Sequence, residues 1–523
     1  LRVVMMPVSC YTGSINAQHN WLVPPTTIWG NAANGRGTIW GIAAFRGEKF
    51  WGNGANRHKT IWGNANKCLF LPENKHKIMA LQFKRKLYQR MLKWKQEEQG
   101  ASALLIKGAR RVGKSTLAES FAKAEYETYL LIDFSIASAE VHGLFRDFPD
   151  IDYLFLRLQL LYGVSLTPRK SVIIFDEVQM EPYARQAIKH LVKDRRYDYI
   201  ETGSLISIRQ NVKDIVLPSE ETQVCLYPMD YEEFRWALGD AATISLLLHS
   251  FQLQLPLGDG VNRKLMRDFR LYMLIGGMPQ AVEAYLQHRD LSHVDDVKRR
   301  ILSLYEDDFM KLDPTGRTSR LFRFIPQQLA QSSTRFKARG VLGNSVRPAI
   351  LEETIANMAD SMTVNIAYHA NDPHVGLAMH GSMEAYKLYM GDTGLFVTQA
   401  FMDKDVTENV IYQKLWSDKL STDMGYVYEN VVSQMLVAAG NNLFYYTFPK
   451  DAKHNYEVDF ILSRGAKVCP IEVKSSGYKA HTSLDTFTKK YADRVQNRYL
   501  LYTKDVRKDG TLLCLPVYMT LFL

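Results

Sequence analysis

Residues 101–124 read ASALLIKGARRVGKSTLAESFAKA, and this stretch decides the fold. Its opening residues form an apolar run typical of a buried strand, and its closing residues, LAESFAKA, favour a helix. The loop between them, from Gly108 to Ser115, fits the pattern G-x-x-x-x-G-K-S in the strand–loop–helix context that the pattern requires. The glycines let backbone N–H groups curve around a phosphate, and the start of the helix adds partial positive charge. The stretch therefore predicts a phosphate-binding loop.

Each part of this loop has an expected role toward ATP. The Lys114 ammonium would reach oxygens of the β- and γ-phosphates, and the Ser115 hydroxyl would ligate Mg²⁺. The backbone N–H groups of the loop and of the first helical turn would surround the phosphates. The residues that we expect to contact the nucleotide are Gly108, Ala109, Arg110, Arg111, Val112, Gly113, Lys114, Ser115 and Thr116.

A second stretch supplies the acids that such a loop needs. Residues 171–179 read SVIIFDEVQ, in which an apolar strand leads into Asp176 and Glu177. Asp176 would hold Mg²⁺, and Glu177 would polarise the attacking water as the general base. In YDYIETGSL (197–205), Thr202 and Ser204 end a later strand, where a polar group that senses the γ-phosphate is expected. We therefore expect ATP and Mg²⁺ as cofactors and ATP hydrolysis as the activity.

The elements around these motifs define the fold class. Apolar runs at 101–107, 129–135, 171–177, 198–204 and 222–226 predict strands, and helical patterns separate them. Strands that alternate with helices predict an α/β domain with a parallel sheet that is covered on both faces. We expect an amphipathic helix to precede the first strand, beginning at Met79 in MALQFKRKLYQRMLKW.

The composition fits a globular protein of several domains. The chain has 523 residues, of which 46% are hydrophobic, and it has no apolar stretch of membrane-spanning length. Its five cysteines form no C-x-x-C pair and no metal-ligand spacing, so a reducing cytoplasm is the expected location. The net charge of +10 is concentrated in residues 1–78, which hold nine basic and two acidic side chains. The overall basicity is therefore weak evidence that the globular part binds nucleic acid.

The first 78 residues contain a repeat. Trp29, Trp40, Trp51 and Trp62 recur with a period of eleven, in segments such as TIWGNANK. These segments lack the aliphatic residues that a stacked repeat needs for a core. A Trp/Arg/Asn repeat could stack on single-stranded bases. The alternative that we favour is a translated DNA repeat upstream of the true start at Met79, so we expect residues 1–78 to lie outside the fold.

A charged pair lies within an apolar run near the end of the chain. In CPIEVKSS (469–476), Glu472 and Lys474 are two residues apart and therefore share one face of a strand. Asp459 lies in a neighbouring apolar run, YEVDFIL. Two carboxylates and one ammonium on adjacent strands could hold a divalent metal and a water molecule. The same pattern also fits an ordinary cross-strand ion pair.

The order of motifs resembles that of a known family. After the loop and DEVQ come ETGSLISI, LYPMDYEEF, YMLIGGMPQAV, LYEDDFMK, YKLYMGDTGLF, YVYENVVSQML, EVDFIL and PIEVKSS. This series resembles prokaryotic AAA-type ATPases whose C-terminal part was long catalogued as a domain of unknown function. The resemblance implies an ATPase core at 79–240, a helical lid at 241–300, a winged-helix-like module at 301–400 and a PD-(D/E)XK nuclease-like α/β domain at 401–523.

The resemblance also assigns roles in the C-terminal part. Asp459, Glu472 and Lys474 match the core of the nuclease signature, and Glu429 in YVYENVVSQML matches its helical acid. Asp459 and Glu472 would hold a metal, and Lys474 would orient the attacking water. A carboxylate at the edge of an apolar helix stripe, where Glu429 lies, is costly unless it has a role. Lys489 and Lys490 on the next helix could contact phosphate, or they could belong to a solvated face.

The middle of the chain fits the resemblance less well. RFIPQQLAQ (323–331) and RPAILEETIANMADS (347–361) read as two helices, followed by a strand and a wing around 371–376. The helix that would read DNA carries Glu352, Glu353 and Asp360 against Arg347, so it would repel phosphate. We expect TRFKARG (334–340) to form a loop. The module could instead be a protein-contact element.

Two hypotheses about function follow. In the first, ATP hydrolysis gates a metal-dependent DNA nuclease. In the second, the protein is an ATP-dependent switch or scaffold with a silent nuclease-like domain that binds DNA or a partner protein. Either allows a homo-oligomer built through the AAA core, with Arg209 or Arg235 completing the ATP site of a neighbouring subunit. We expect no membrane association.

Overall fold

A computed structural model of the protein describes residues 83–523 apart from 147–149, 205–218, 332, 375, 380, 405–411, 413–423 and 476–480. The chain separates into two units, residues 1–77 and 78–523, and all described residues belong to the second. The repeat-bearing leader and Arg209 lie outside the described residues. The predictions about them therefore stay predictions.

A parallel five-stranded sheet forms the first part of the second unit. Its strand order is β2-β3-β4-β1-β5, and every neighbouring pair is parallel. The strands are β1 (Ala103–Lys107), β2 (Thr128–Asp133), β3 (Ser171–Asp176), β4 (Asp198–Gly203) and β5 (Glu221–Cys225). Each lies within two residues of the predicted bounds. The predicted α/β sheet is confirmed.

Helices cover both faces of this sheet. They are α1 (Leu87–Glu98), α2 (Lys114–Glu125), α3 (Ala139–Arg146), α4 (Ile151–Tyr162) and α5 (Pro182–Asp194). Helix α6 (Tyr231–Ala237) follows β5 and packs into the apolar cluster of the later helices. Alternate residues of β1 enter different apolar clusters: Leu105 packs on one side, and Leu104 and Ile106 pack on the other. This alternation is what a strand buried on both faces requires.

The first helix begins later than predicted. The described residues 83–86 of the predicted helix are not helical, and α1 starts at Leu87; Met79 lies outside the described residues. Arg85 Nε donates to Glu233 Oε2 at 3.1 Å, and the Lys86 backbone N–H donates to Glu233 Oε1 at 2.6 Å. These bonds hold the entry segment in place ahead of the helix.

A run of helices follows the sheet, and its first part covers residues 241–300, where a helical lid is predicted. The helices are α7 (Ala242–Leu253), α8 (Asp259–Ile275), α9 (Pro279–His288), α10 (Leu291–Leu312), α11 (Arg317–Arg323), α12 (Ile325–Ala330), α13 (Ala338–Leu342) and α14 (Pro348–Asp360). One local prediction is confirmed only in part, and a second, the loop at 334–340, was wrong. Residues 323–331 form the end of one helix and a second helix that meet at Phe324, with Pro326 in the first turn of α12. The predicted loop 334–340 contains the start of α13.

An eight-stranded sheet forms the last part of the unit, in the order β12-β13-β11-β10-β9-β8-β6-β7. Its strands are β6 (Val364–Ala370), β7 (Gly381–Met390), β8 (Leu443–Pro449), β9 (Asn455–Arg464), β10 (Lys467–Val473), β11 (Arg498–Tyr502), β12 (Arg507–Asp509) and β13 (Leu512–Pro516). The helices around it are α15 (Thr393–Gln399), α16 (Gly425–Ala438) and α17 (Thr482–Lys490). Strands β9 and β10 are antiparallel neighbours, so the two charged apolar runs lie side by side.

The two strands that flank the predicted wing extend this second sheet. Strands β6 and β7 form an antiparallel hairpin, and β6 also pairs with β8 through Ala367 and Leu443. The predicted boundary at residue 400 therefore separates strands that share hydrogen bonds. The winged-helix and nuclease-like modules, and all domain bounds, stay predictions.

Candidate functional site

The predicted phosphate loop connects β1 to α2. Gly113 has a φ of +95° and Arg111 a φ of +67°, so the loop turns through the left-handed region twice before the helix begins. A Cβ on Gly108 would lie 2.4 Å from the backbone oxygen of Leu226, so only glycine fits there. These conformations make the loop backbone curve at the start of α2.

Lys114 is buried at the first position of α2 and points back into the loop. Its ammonium donates to the backbone oxygens of Gly108 and Ala109, each at 3.1 Å. Burial lowers the pKa of Lys114, while Glu177 and Asp176 act in the opposite direction. A buried ammonium that is bonded only to neutral carbonyls has a strong electrostatic preference for a phosphate.

Asp176 is the centre of a short polar network at the carboxyl ends of β3 and β4. Its Oδ1 accepts a hydrogen bond from Ser115 Oγ at 2.7 Å and another from Thr202 Oγ1. The Glu177 backbone N–H donates to Thr202 Oγ1 at 3.3 Å. The structure therefore brings together the predicted metal ligands, Ser115 and Asp176, and the predicted sensor Thr202. Ser204 lies just beyond the end of β4.

Glu177 follows β3 in the left-handed conformation, with a φ of +52°. Its Oε2 accepts a hydrogen bond from Gln179 Nε2. The predicted general base is thus held by a neighbouring amide that the sequence analysis did not single out. Because the amide and an attacking water would compete for the same carboxylate, Gln179 can hold Glu177 in a resting position.

The phosphate loop and the two acids after β3 open onto one cavity of about 1190 Å³. Its walls include the loop residues Lys114 and Ser115, the acids Asp176 and Glu177, and the start of α9 at Pro279. The walls also include aromatic side chains that the sequence analysis missed, Phe83 and Trp236. The ammonium of Lys84 lies 4.3 Å from the centre of the Trp236 ring. The cavity is therefore lined both by the predicted phosphate loop and by two aromatic rings.

Helix α10 contacts the outside of the phosphate loop. Arg110 Nη1 donates to Asp308 Oδ1 at 2.8 Å, and Tyr305 OH donates to the Arg110 backbone oxygen at 3.0 Å. Both contacts join α10 to the loop, and neither partner on α10 was predicted as a site residue. The loop's position thus depends on a helix that starts at Leu291, far from it in sequence.

The predicted nuclease residues also lie close together. Lys474 Nζ is 2.7 Å from Glu472 Oε1, and the Val473 backbone N–H donates to Asp459 Oδ2 at 2.7 Å. Burial raises the pKa of Glu472, an effect that Lys474 opposes. Glu472 and Lys474 therefore form an ion pair within β10 and the residue after it, and the Asp459 carboxylate of the neighbouring strand lies beside this pair.

Glu429 faces this group from α16. Burial raises the pKa of Glu429 to about 7, against the effect of Lys387 and with the support of Asp459 and Glu457. Lys387 Nζ lies 3.7 Å from Glu429 Oε2 and contacts Glu457 Oε1 directly. Lys387 and Glu457 were not predicted as site residues. Only the two-residue spacing of Glu457 and Asp459 on β9 could have indicated one of them.

Two carboxylates of this cluster fit a Mg²⁺ ion of the kind the family resemblance implies. Within the described residues, no three His, Cys, Asp or Glu side chains are arranged to hold a metal. Mg²⁺, however, is often bound by one or two carboxylates, with water and substrate phosphate completing its shell. Glu472 Oε2 is buried and has no hydrogen bond of ordinary geometry in the described structure. This oxygen and Asp459 would hold the ion.

Three family models match separate parts of the chain. Residues 101–235 match an AAA domain, residues 266–405 match a domain of unknown function (DUF8612), and residues 424–518 match a domain of unknown function (DUF4143). The first match covers the phosphate loop, Asp176, Glu177 and Thr202. The chain carries an AAA-type P-loop ATPase domain. The nuclease-like character of the C-terminal part is not established by its match.

Solved structures give weaker likenesses. A Walker-type ATPase of Pyrococcus abyssi is 17% identical over 61% of this chain and 96% of that chain, with a TM-score of 0.36. Cdc6p from Pyrobaculum aerophilum is 12% identical over 64% of this chain and 94% of that chain, with a TM-score of 0.23. At these scores they add nothing to the assignment of the ATPase domain. No curated protein matches the chain.

The ATPase domain corrects one prediction about arginines. Arg235 was a candidate for completing the site of a neighbouring subunit, but its guanidinium is buried. Its Nη1 lies 2.8 Å from Asp268 Oδ2, and its Nη2 pairs with Asp240. An arginine that is held this way inside its own subunit cannot reach another.

Among the described helices, none has both the length and the apolarity to cross a membrane.

Proposed function

We propose that the AAA-type domain binds ATP with Mg²⁺ and hydrolyses it to ADP and phosphate. The observation that supports this most strongly is the hydroxyl–carboxylate network of Ser115, Asp176 and Thr202 beside the buried Lys114. Lys114, Ser115, Asp176 and Glu177 line one cavity that is large enough for a nucleotide.

The residues would act in a definite order. As ATP enters, the Lys114 ammonium would exchange the carbonyls of Gly108 and Ala109 for phosphate oxygens. Ser115 and Asp176 would hold Mg²⁺, which offsets the negative charge of the phosphates. Glu177, once released by Gln179, would accept the proton of the attacking water while the bond to the leaving ADP oxygen breaks.

The aromatic rings of the cavity would hold the base. Lys84 now covers the ring of Trp236 at 4.3 Å, and an adenine could take that position by stacking. Phe83 lines the same cavity. Stacking on an aromatic ring is tolerant of base identity, so this wall would contribute affinity more than selectivity.

Calorimetric titration of the full-length protein with ATP in Mg²⁺ tests the binding half of this proposal. Lys114→Ala should abolish or severely weaken binding, because it removes the buried ammonium that would reach the phosphate oxygens. Lys123→Ala is a matched control, since Lys123 lies on the same helix and its side chain is more than half exposed. Wild-type protein that binds no ATP, or a Lys114 variant that binds it as well as the control does, would contradict the proposal.

We further propose that the second sheet carries a metal-dependent deoxyribonuclease site. Its support is the convergence of Glu429, Asp459, Glu472 and Lys474, together with the buried, unpaired oxygen of Glu472. Mg²⁺ would supply charge stabilisation at the scissile phosphate. Lys474 would orient the attacking water, and the bond between phosphorus and the departing sugar oxygen would break.

Contacts within the described structure could couple the two sites. Pro279 lines the ATP cavity, and two residues earlier the Gly277 backbone N–H donates to Asp392 Oδ2 at 2.5 Å. Asp392 follows β7, the outermost strand of the second sheet. A Cβ on Gly277 would lie 2.1 Å from the backbone oxygen of Met229, so this joint is closely packed. Movement at α9 would therefore be transmitted to β7.

The nuclease proposal requires cleavage assays with linear and circular DNA, Mg²⁺ or Mn²⁺, and with or without ATP. Asp459→Ala should lose Mn²⁺ binding and cleavage together, whereas Lys474→Ala should keep the metal and lose cleavage. Both should hydrolyse ATP normally. Asp451→Ala, at an exposed aspartate of the same sheet region, is the control. Wild-type protein that neither binds the metal nor cuts any DNA would support the alternative of an ATP-dependent switch.

A further inference from the structure

Lys387 is a buried lysine in the acidic cluster that comes from outside the nuclease signature. It lies on β7, and only 5% of its surface is exposed. Its ammonium contacts Glu457 Oε1 and lies 3.7 Å from Glu429 Oε2. It also lies 5.5 Å from the centre of the Tyr445 ring. The hairpin of β6 and β7 thus places a positive charge among the carboxylates.

The carboxylates of the cluster contact two different lysines, Lys387 and Lys474. Lys474 pairs with Glu472 at 2.7 Å. Lys387 contacts Glu457 and lies 3.7 Å from Glu429 Oε2. A buried ammonium is stable only when carboxylates or hydrogen bonds compensate it, so these contacts fix its position. Among the described residues of the cluster, the four carboxylates, when ionised, carry two more charges than the two ammonium groups. One divalent cation would balance them.

We propose that Lys387 is a built-in cation that occupies the place at Glu429 and Glu457 where a divalent metal would otherwise bind. It restricts the metal to Asp459 and Glu472 and weakens the affinity of the whole cluster for it. The inference rests on the proposed metal site and adds a residue that controls its occupancy. Lys387 is a positioning residue, since it acts through the carboxylates.

Substitution of Lys387 tests this role by metal binding alone. In Lys387→Met, Glu429 and Glu457 are released, and Mn²⁺ should bind at least about tenfold tighter, because a unit charge a few ångströms from the ion has been removed. Lys387→Arg keeps the charge and should bind Mn²⁺ within about twofold of wild type. Lys467→Met is the matched control, since Lys467 is exposed on β10 of the same sheet. The readouts are Mn²⁺ calorimetry and the shift in melting temperature on adding Mn²⁺.

Mn²⁺ binding by at least one of the two proteins separates this inference from the nuclease proposal. Tighter Mn²⁺ binding by Lys387→Met than by wild type supports the inference. Binding by the variant alone supports it too, because Lys387 would then exclude the metal from the wild-type cluster. Equal affinities in wild type and variant overturn the inference and leave the metal site standing. If neither protein binds Mn²⁺, both ideas fail. Lys387→Gln, which keeps a donor for Glu457, replaces Lys387→Met if that variant does not fold.

Discussion

Removing the hydroxyl of Thr202 should slow ATP hydrolysis without abolishing ATP binding. Thr202 is fully buried. Its hydroxyl donates to Asp176 Oδ1 and accepts from the Glu177 backbone N–H at 3.3 Å. Valine fills nearly the same volume but can do neither. The change therefore loosens both acids of the site and leaves in place Lys114 and the loop backbone, which we propose bind the phosphates.

The size of the effect follows from the bond that is lost. A hydrogen bond to a carboxylate contributes about 1.5–3 kcal/mol. If that loss falls wholly on the transition state, Thr202→Val should hydrolyse ATP about 10- to 150-fold more slowly. The affinity for ATP should change by less than about threefold, which is below 1 kcal/mol.

Thr222→Val is a matched control for this substitution. Thr222 lies at the amino end of β5, away from the phosphate loop, and its hydroxyl is 2.7 Å from Ser102 Oγ. Its loss should cost about 0.5–1.5 kcal/mol of stability and leave turnover unchanged. Steady-state phosphate release and ATP calorimetry on both variants decide the matter. A Thr202 variant with wild-type turnover would refute the role given to the Asp176 network.

Three further predictions concern other parts of the molecule. Trp236→Ala should weaken ATP binding by about 1–3 kcal/mol, the worth of one stacked base, but leave inorganic triphosphate binding unchanged; equal losses for both ligands would place the base elsewhere. Burial lowers the pKa of Lys298 to about 8, so the unfolded chain binds more protons than the folded one above that pH. From pH 8 to 10, wild-type stability should therefore rise relative to Lys298→Met by up to about 2 kcal/mol, as measured by urea unfolding; a flat difference would contradict this. Asp308→Ala removes a partly exposed ion pair with Arg110 and should cost about 1 kcal/mol of stability or less; a larger loss in thermal melts would show that α10 holds the loop more firmly than this pair suggests.

The ATP site could be predicted because its signals are local. A strand, a glycine-containing loop and a helix follow one another within residues 101–124, and an acid at the end of an apolar strand is recognisable without knowledge of the fold. Thr202 could be placed for the same reason, since carboxyl ends of parallel strands meet at one edge of a sheet. The structure brings the loop, Asp176, Glu177 and Thr202 together, while their roles toward ATP stay predictions.

The residues that were missed act across long separations. Lys387 reaches Glu457 only because β6 pairs with β8 and extends the second sheet. Trp236 faces the phosphate loop because α6 is tied to the entry segment through Glu233. Arg235 looked available in sequence, but its partner Asp268 lies on another helix. None of these contacts has a periodicity or spacing that a single sequence displays.

The most direct test of the central claim is the rate of ATP hydrolysis by wild-type protein and by Glu177→Gln. Glu177 lies in the ATP cavity next to Asp176, and the loss of a general base slows such reactions by about a hundredfold or more. We predict that the full-length wild-type protein releases phosphate from ATP in Mg²⁺. We predict that Glu177→Gln binds ATP with similar affinity but releases phosphate on the order of a hundredfold more slowly. Equal rates in the two proteins, or no release by wild type despite tight ATP binding, would contradict the account.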